Sequence, residues 1–215
     1  MRAELKRLHQ QLGTTTIYVT HDQEEAMTLG DRVVVMCDGF IRQCDTPLDV
    51  YRRPRDRFVA GFLGTPPMNF LEGFLGTEGA SVAFESGSGK IRLTAEQSSI
   101  VREHVGQPVI LGIRPEALEF ADGSDTTGEQ LLSVTVDVVE PLGGSMDLYV
   151  RTTANERLTS RVPSREITPG QQIQLRVDAQ RLHVFAPNEH ESDPDRSTRY
   201  GSNLTLGEPV AARGE

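Results

Sequence analysis

The residue types best suited to chemistry cluster in one short run, Tyr18-Val19-Thr20-His21-Asp22-Gln23-Glu24-Glu25-Ala26. The β-branched stretch 14–20 predicts a strand, His21 follows at once, and a helix begins after Asp22. In open α/β sheets, ligands gather beyond the carboxyl ends of the strands. A histidine placed there can hydrogen-bond a phosphate oxygen or orient a water. Asp22 and Glu25, three residues apart, form a capping-box-like pair. Both are therefore read as helix caps, and Gln23 and Glu24 as solvated. A hydrolytic His21–Asp22 pair is disfavoured, because adjacent residues after a strand rarely aim at one substrate atom and no nucleophile is evident.

Other candidates have simpler explanations. Phosphoryl transfer needs a glycine-rich phosphate loop with its lysine and residues to hold Mg²⁺, and no Gly-x-x-x-x-Gly-Lys-Ser/Thr occurs in the 215 residues. The nearest look-alike, Gly87-Ser88-Gly89-Lys90, is followed by Ile91 and reads as a turn. Arg52, Arg53, Arg55 and Arg57 read as a solvated basic face. Gly143-Gly144-Ser145 reads as a tight turn. His9, His104, His183 and His190 lack ligand spacing, so no metal site is expected. Cys37 and Cys44 flank a predicted hairpin at Asp38-Gly39, with Cys37 opposite Phe40 and Cys44 opposite Val33. They then lie about 13 Å apart, beyond the roughly 7 Å reach of a disulfide.

The elements that position these residues fall into three zones. In residues 1–63, Met1, Leu5, Leu8 and Leu12 recur at helical spacing and Gly13 stops the helix. The 14–20 strand follows, then a helix ending at Gly30, the hairpin 32–44, a helix opened by Thr46-Pro47 and a short helix over 56–63. Gly64-Thr65-Pro66-Pro67 is the best linker candidate. Residues 64–186 are almost all β. Short runs at 81–84, 91–94, 109–113, 133–139, 148–151, 158–162, 173–177 and 183–185 predict a small barrel or sandwich. Residues 187–215 are polar and read as a flexible tail.

Thr20-His21-Asp22-Gln23-Glu24-Glu25-Ala26, with Gly30-Asp31-Arg32-Val33 and Asp38-Gly39, resembles the switch-histidine region of ATP-binding-cassette (ABC) ATPases. Asp45-Thr46-Pro47, Tyr51, Phe58-Val59-Ala60-Gly61-Phe62-Leu63-Gly64 and Met68-Asn69-Phe70 narrow the likeness to ATPase subunits of bacterial carbohydrate importers, the maltose and glycerol-phosphate type. Gly112-Ile113-Arg114-Pro115-Glu116 and Val138-Val139-Glu140-Pro141-Leu142-Gly143 resemble the regulatory domain of that subunit. The resemblance implies an α/β remnant of an ABC ATPase domain over 1–63, then an all-β OB-fold-like, transport-associated regulatory domain over 64–186. It assigns His21 to the terminal phosphate of ATP in a complete subunit, with the catalytic glutamate upstream. ATP and Mg²⁺ are the family's cofactors, and neither is expected to bind well to this chain. The implied partners are transmembrane permease subunits and a second ATPase subunit in a homodimer, with an extracellular substrate-binding protein engaged only indirectly. The implied location is cytoplasmic, on the inner face of the membrane.

The family's Leu-Ser-Gly-Gly-Gln signature and an apolar strand ending in Asp-Glu are also missing. The chain therefore reads as the C-terminal portion of such a subunit, inactive in ATP hydrolysis alone. The alternative is a stand-alone regulatory or dimerisation module that binds a partner subunit or a small effector. Charge and composition narrow the partners in either reading. Lys and Arg total 22 against 31 Asp and Glu, a net charge of −9, which disfavours a phosphate-backbone grip and hence nucleic acid. No run approaches the about 20 apolar residues of a membrane-spanning helix, and the N-terminus shows no apolar leader.

Overall fold

The computed structural model describes residues 2–121, 130–187 and 200–206. Helix α1 (Arg2–Leu12) ends at Gly13, whose φ of +60° is left-handed. The strand expected at 14–20 does not form. A strand is stable only when a neighbour takes its backbone hydrogen bonds, and none of the described strands lies beside it. Its side chains are left in solvent, Ile17 at 90% and Val19 at 91% exposure. Helix α2 (Gln23–Leu29) follows and stops at Gly30, which is extended rather than left-handed.

Strands β1 (Val33–Cys37) and β2 (Phe40–Asp45) form the expected hairpin. Asp38 and Gly39 both have positive φ, the backbone that a two-residue hairpin turn requires. The register differs from the simple pairing in one place. A bulge opposite Val35 and Met36 makes Arg42 the extra residue of β2 and sets Cys44 opposite Val34. Such an extra residue re-aims its neighbours, so consecutive Arg42 and Gln43 both turn inward. Arg42 then meets the buried Asp56, with Nε at 3.0 Å and Nη2 at 2.7 Å from Oδ2. Both cysteines are free thiols.

Helix α3 (Pro47–Arg52) is capped by Thr46, whose Oγ1 accepts from the Asp49 N–H. Helix α4 (Arg57–Phe62) is capped by Asp56, which accepts from the Val59 N–H at 2.9 Å. Asp56 thus serves both Arg42 and α4. A small core of Val33, Val35, Val50, Val59 and Leu63 lies between the hairpin and these helices.

The β module contains β3 (Asn69–Glu78), β4 (Ser81–Ser86), β5 (Gly89–Arg92), α5 (Ala95–Ile100), β6 (Pro108–Ile113), β7 (Leu118–Phe120), β8 (Leu131–Pro141), β9 (Ser145–Thr152), β10 (Arg157–Pro163), β11 (Gln172–Val177) and β12 (Leu182–Phe185). One sheet runs β12-β6-β3-β4-β5 and the other β10-β9-β8-β11-β7, with every pairing antiparallel. The second sheet curls until its edges meet, where Ser160 Oγ of β10 donates to the Leu118 carbonyl at 2.7 Å. This is the OB-like architecture expected for the region.

A continuous core that includes Leu71, Phe84, Leu111, Leu118, Leu148 and Leu175 fills the space between the sheets. Asn69 joins them through polar bonds. Its Nδ2 donates to the Ile113 and Thr159 carbonyls, and its Oδ1 accepts from the Thr159 N–H at 2.7 Å. Strand β3 is hidden in the sequence by Gly73 and Gly76. A Cβ on Gly73 would sit 2.3 Å from the Glu85 carbonyl oxygen and 2.6 Å from the Phe84 ring, so the glycine makes room for the neighbouring backbone and a core aromatic at the cost of strand-like composition.

Part of the stretch read as a flexible tail is packed. Tyr200 lies against Phe58, with ring centroids 5.1 Å apart, and beneath the Arg42 guanidinium. Asn203 is buried, donating from Nδ2 to the Pro54 carbonyl at 2.8 Å and lying 3.2 Å from His183 Nδ1. Residues 188–199, with His190, and 207–215 lie outside the described residues.

Two outcomes follow. Amides of residues 14–20, which have no ladder, exchange rapidly in hydrogen-exchange measurements, and slow exchange there contradicts the unpaired segment. Burial, aided by the charge on Arg114, pushes His183 down to about 4 from its ordinary 6.5. The folded state therefore holds His183 neutral, and its stability contribution is complete above pH 6.5 and lost as pH falls through about 4. About 3 kcal/mol of unfolding free energy disappears across that window, and urea unfolding of His183→Gln shows a flatter pH dependence.

Candidate functional site

His21 occupies the corner between the extended segment and α2, and local hydrogen bonds hold that corner rigidly. Thr20 Oγ1 accepts from the Asp22 N–H at 2.9 Å. Asp22 Oδ1 accepts from the N–H groups of Glu24 and Glu25 at 2.8 and 3.1 Å. Those N–H donors, Glu25's first, hold the Asp22 carboxyl below its ordinary range, and Arg2 adds to the effect. Glu25 does not close a capping box. Its carboxylate accepts instead from Thr20 Oγ1 at 2.8 Å and from the Tyr18 hydroxyl at 3.0 Å, and that bond raises Tyr18. With Thr20, Asp22 and Glu25 engaged with one another, the His21 ring is exposed and has no hydrogen-bond partner among the described residues. Such a ring is free to donate to, or accept from, a group brought to it.

Gln23, read as solvated, is a structural link. Its Nε2 donates to the Phe62 carbonyl at 2.5 Å and its Oε1 accepts from the Gly64 N–H at 2.8 Å. One amide thus ties α2 to the end of α4 and to the segment that leads into the β module. A single polar residue in a helix's first turn carries no sequence signal for partners about forty positions away.

Directly beyond Gly64 lies a buried guanidinium. Arg114, at the end of β6, is only 3% exposed. Its Nη1 donates to the carbonyls of Ala60, at 3.1 Å, and Leu63, and its Nη2 to that of Tyr51 at 2.8 Å. The guanidinium stacks 3.9 Å from the Tyr51 ring centroid. The Tyr51 hydroxyl donates to Glu116 Oε1 at 2.6 Å, and burial together with that bond pushes Tyr51 up to about 12. Burial shifts Arg114 downward. The carbonyls it serves are those a short helix leaves unpaired at its C-terminal end. Arg114 was legible only as part of the Arg-Pro-Glu motif, and its partners were not.

The remaining candidates behave as follows. Gly87-Ser88-Gly89-Lys90 forms the β4–β5 turn, and Lys90 pairs with Glu85 at 2.7 Å. Arg52, Arg53 and Arg55 are exposed, while Arg57 is half-buried over the Phe70 ring. Gly143 takes a left-handed turn between β8 and β9. Among the described residues, no three His, Cys, Asp or Glu side chains come together in a way that could hold a metal ion. No described helix is long and apolar enough to cross a membrane.

Residues 64–118 match the MalK OB fold domain and residues 111–185 match the TOBE domain. The two matches overlap at β6 and Arg114. The chain is 42% identical over 189 residues to the trehalose/maltose import ATP-binding protein MalK of Thermococcus litoralis, covering 86% of this chain and 50% of that protein. It is 44% identical over 186 residues to the sulfoquinovosyl glycerol transport ATP-binding protein SmoE of Agrobacterium fabrum, with the same coverages. It is 40% identical over 186 residues to the sn-glycerol-3-phosphate import ATP-binding protein UgpC 1 of Rhizobium johnstonii, covering 86% and 48%. The chain spans about half the length of these curated relatives.

The Arg114 junction yields a direct expectation. Arg114→Met leaves three carbonyls without their donor and lowers unfolding free energy by about 3 kcal/mol. Arg114→Lys recovers only part of it, because one ammonium cannot reproduce the planar fork. Urea unfolding of the two variants measures the difference, and equal stability of Lys and Arg contradicts the geometry.

Proposed function

The chain belongs to the ATP-binding subunits of ABC sugar importers, matching their C-terminal part, and on that premise we propose that it serves to couple ATP binding and hydrolysis to carbohydrate uptake. In this reading residues 1–63 complete a nucleotide-binding domain, residues 64–186 regulate it, and His21 meets the terminal phosphate of ATP. One observation carries the proposal: the Gln23 amide joins the His21 corner to Phe62 and Gly64, next to the carbonyls held by Arg114. A shift of the β module is thereby felt two residues from the histidine.

The described residues do not by themselves fit ATP with Mg²⁺. The only Gly-Ser-Gly-Lys run is a hairpin turn whose lysine is paired, and no phosphate loop occurs in the sequence. No step of hydrolysis is therefore assigned to this chain alone. The permease subunits, a second ATP-binding subunit and a position on the inner face of the membrane are part of the same proposal. The stand-alone module is less well supported, because residues 1–63 expose apolar groups on two surfaces. Ile17 and Val19 project from the unpaired segment, and Val34 and Met36 from the outer face of β1. A self-sufficient domain covers such groups, whereas one segment of a larger α/β domain presents them to its neighbours.

The test is a turnover assay. The purified chain hydrolyses ATP no faster than its His21→Ala variant. A rate clearly above that control overturns the assignment of the phosphate cradle and metal ligands to residues outside this chain.

A further inference from the structure

The segment 200–206 makes contacts that the importer reading does not use. Residues 202 and 203 lie between two backbones, one from each unit. On one side, Asp56 bridges Ser202 and the Asn203 N–H donates to the Arg55 carbonyl at 2.9 Å. On the other, the Ala186 N–H donates to the Ser202 carbonyl at 2.9 Å and Phe185 bridges Asn203. The Asn203 side chain spans the same gap, from the Pro54 carbonyl to His183 at the end of the module. The Arg57 N–H, an orphan donor in the first turn of α4, donates to the carbonyls of Tyr200 and Gly201 at 3.1 and 3.2 Å. Tyr200 packs against Phe58 and under Arg42, the partner of Asp56.

We propose that residues 200–206 are an intramolecular clasp that fastens the start of α4 to the end of β12 and so sets how firmly the His21 corner is coupled to the β module. Helix α4 has only six residues. The clasp holds its first turn, while Gln23 and Arg114 hold its last. An element that short transmits a change at one end to the other, because no internal turn can absorb it. The clasp itself rests on contacts alone. Its bearing on nucleotide chemistry rests on the reading of His21 given above, and the test involves no nucleotide, so the two can fail separately.

Gly201 offers a sharp perturbation. Its φ is +60°, and a Cβ there would run into the Ala186 carbonyl oxygen. Gly201→Ala is both strained and obstructed. Asn203→Ala removes the side-chain bridge, whereas Ser202→Ala leaves intact a residue that engages through its backbone and has an exposed side chain. Hydrogen exchange on the full chain reads the result.

Gly201→Ala and Asn203→Ala accelerate exchange at the Arg57 and Ala186 amides by about tenfold. They also accelerate it at Leu63 and Gly64, at the far end of α4, while Leu111 and Leu148 in the core and all amides of Ser202→Ala keep their protection. Unchanged exchange at Arg57 and Ala186 in both variants overturns the clasp. Acceleration confined to Arg57 and Ala186 overturns the coupling. Loss of protection at Leu111 in both variants overturns it as well, since the segment is then part of the folding core rather than a separable strap.

Discussion

A buried guanidinium governs the arrangement of this protein. Withdrawing a cation from water is costly unless its donors are met, and Arg114 meets that demand at Nη1 and Nη2 with backbone carbonyls of Tyr51, Ala60 and Leu63 rather than with a contacting carboxylate, while its buried Nε has no partner among the described residues. Those carbonyls come from α3, α4 and the residue after α4, so the charge is satisfied only when both helices sit against the end of β6. The Tyr51 ring lies flat against the guanidinium, and its hydroxyl turns to Glu116, two residues beyond the arginine. One charged side chain therefore ties α3 and α4 together to the end of β6. The glycine between them is held as well, because Gly64 N–H is bound by Gln23. What composition marks as a linker is a fastened joint.

Helix α4 is the shared part of this joint. It is capped by Asp56, and Asp56 is held by Arg42, which reaches inward only because β2 carries a bulge. Tyr200 lies on the other side of Arg42. A one-residue irregularity in a surface hairpin thus supports the helix to which the β module, the His21 corner and the C-terminal segment all attach. The two units also differ in how they are held. The β module has a continuous apolar core and sheet edges that meet, whereas the α/β unit has a small core and exposed apolar faces. Polar contacts at the joint, with the buried cluster of Ala60, Met68, Ile110 and Phe185 beside them, tie residues 1–63 to the module.

The sequence was most informative where structure is local. Thr46-Pro47 and Asp56 announced helix starts, Asp38-Gly39 announced a hairpin, and eight alternating runs marked strands of the module. Each depends on backbone preferences and side-chain bonds within a few residues. Strand β3 escaped because its glycines answer needs on the neighbouring strand, the space taken by Phe84 and the Glu85 carbonyl beside Gly73 and by the Glu85 side chain beside Gly76. Helix α5 escaped for a related reason. Its capping box of Thr94 and Gln97 is short, and the buried role of Gln97 is a bond to the Leu182 carbonyl far along the chain.

By itself the sequence determined the family likeness, most strands of the β module and the position of a histidine just before a helix. Those features are written in residue type and order. Only the tertiary structure decided that 14–20 has no ladder, that Gln23 and Arg114 are joints, and that Asn203 returns to Pro54 and His183. The physical reason is the same in each case. A strand exists through its neighbours, and a buried polar group chooses among whichever donors and acceptors the fold leaves unpaired, a choice that local sequence does not contain.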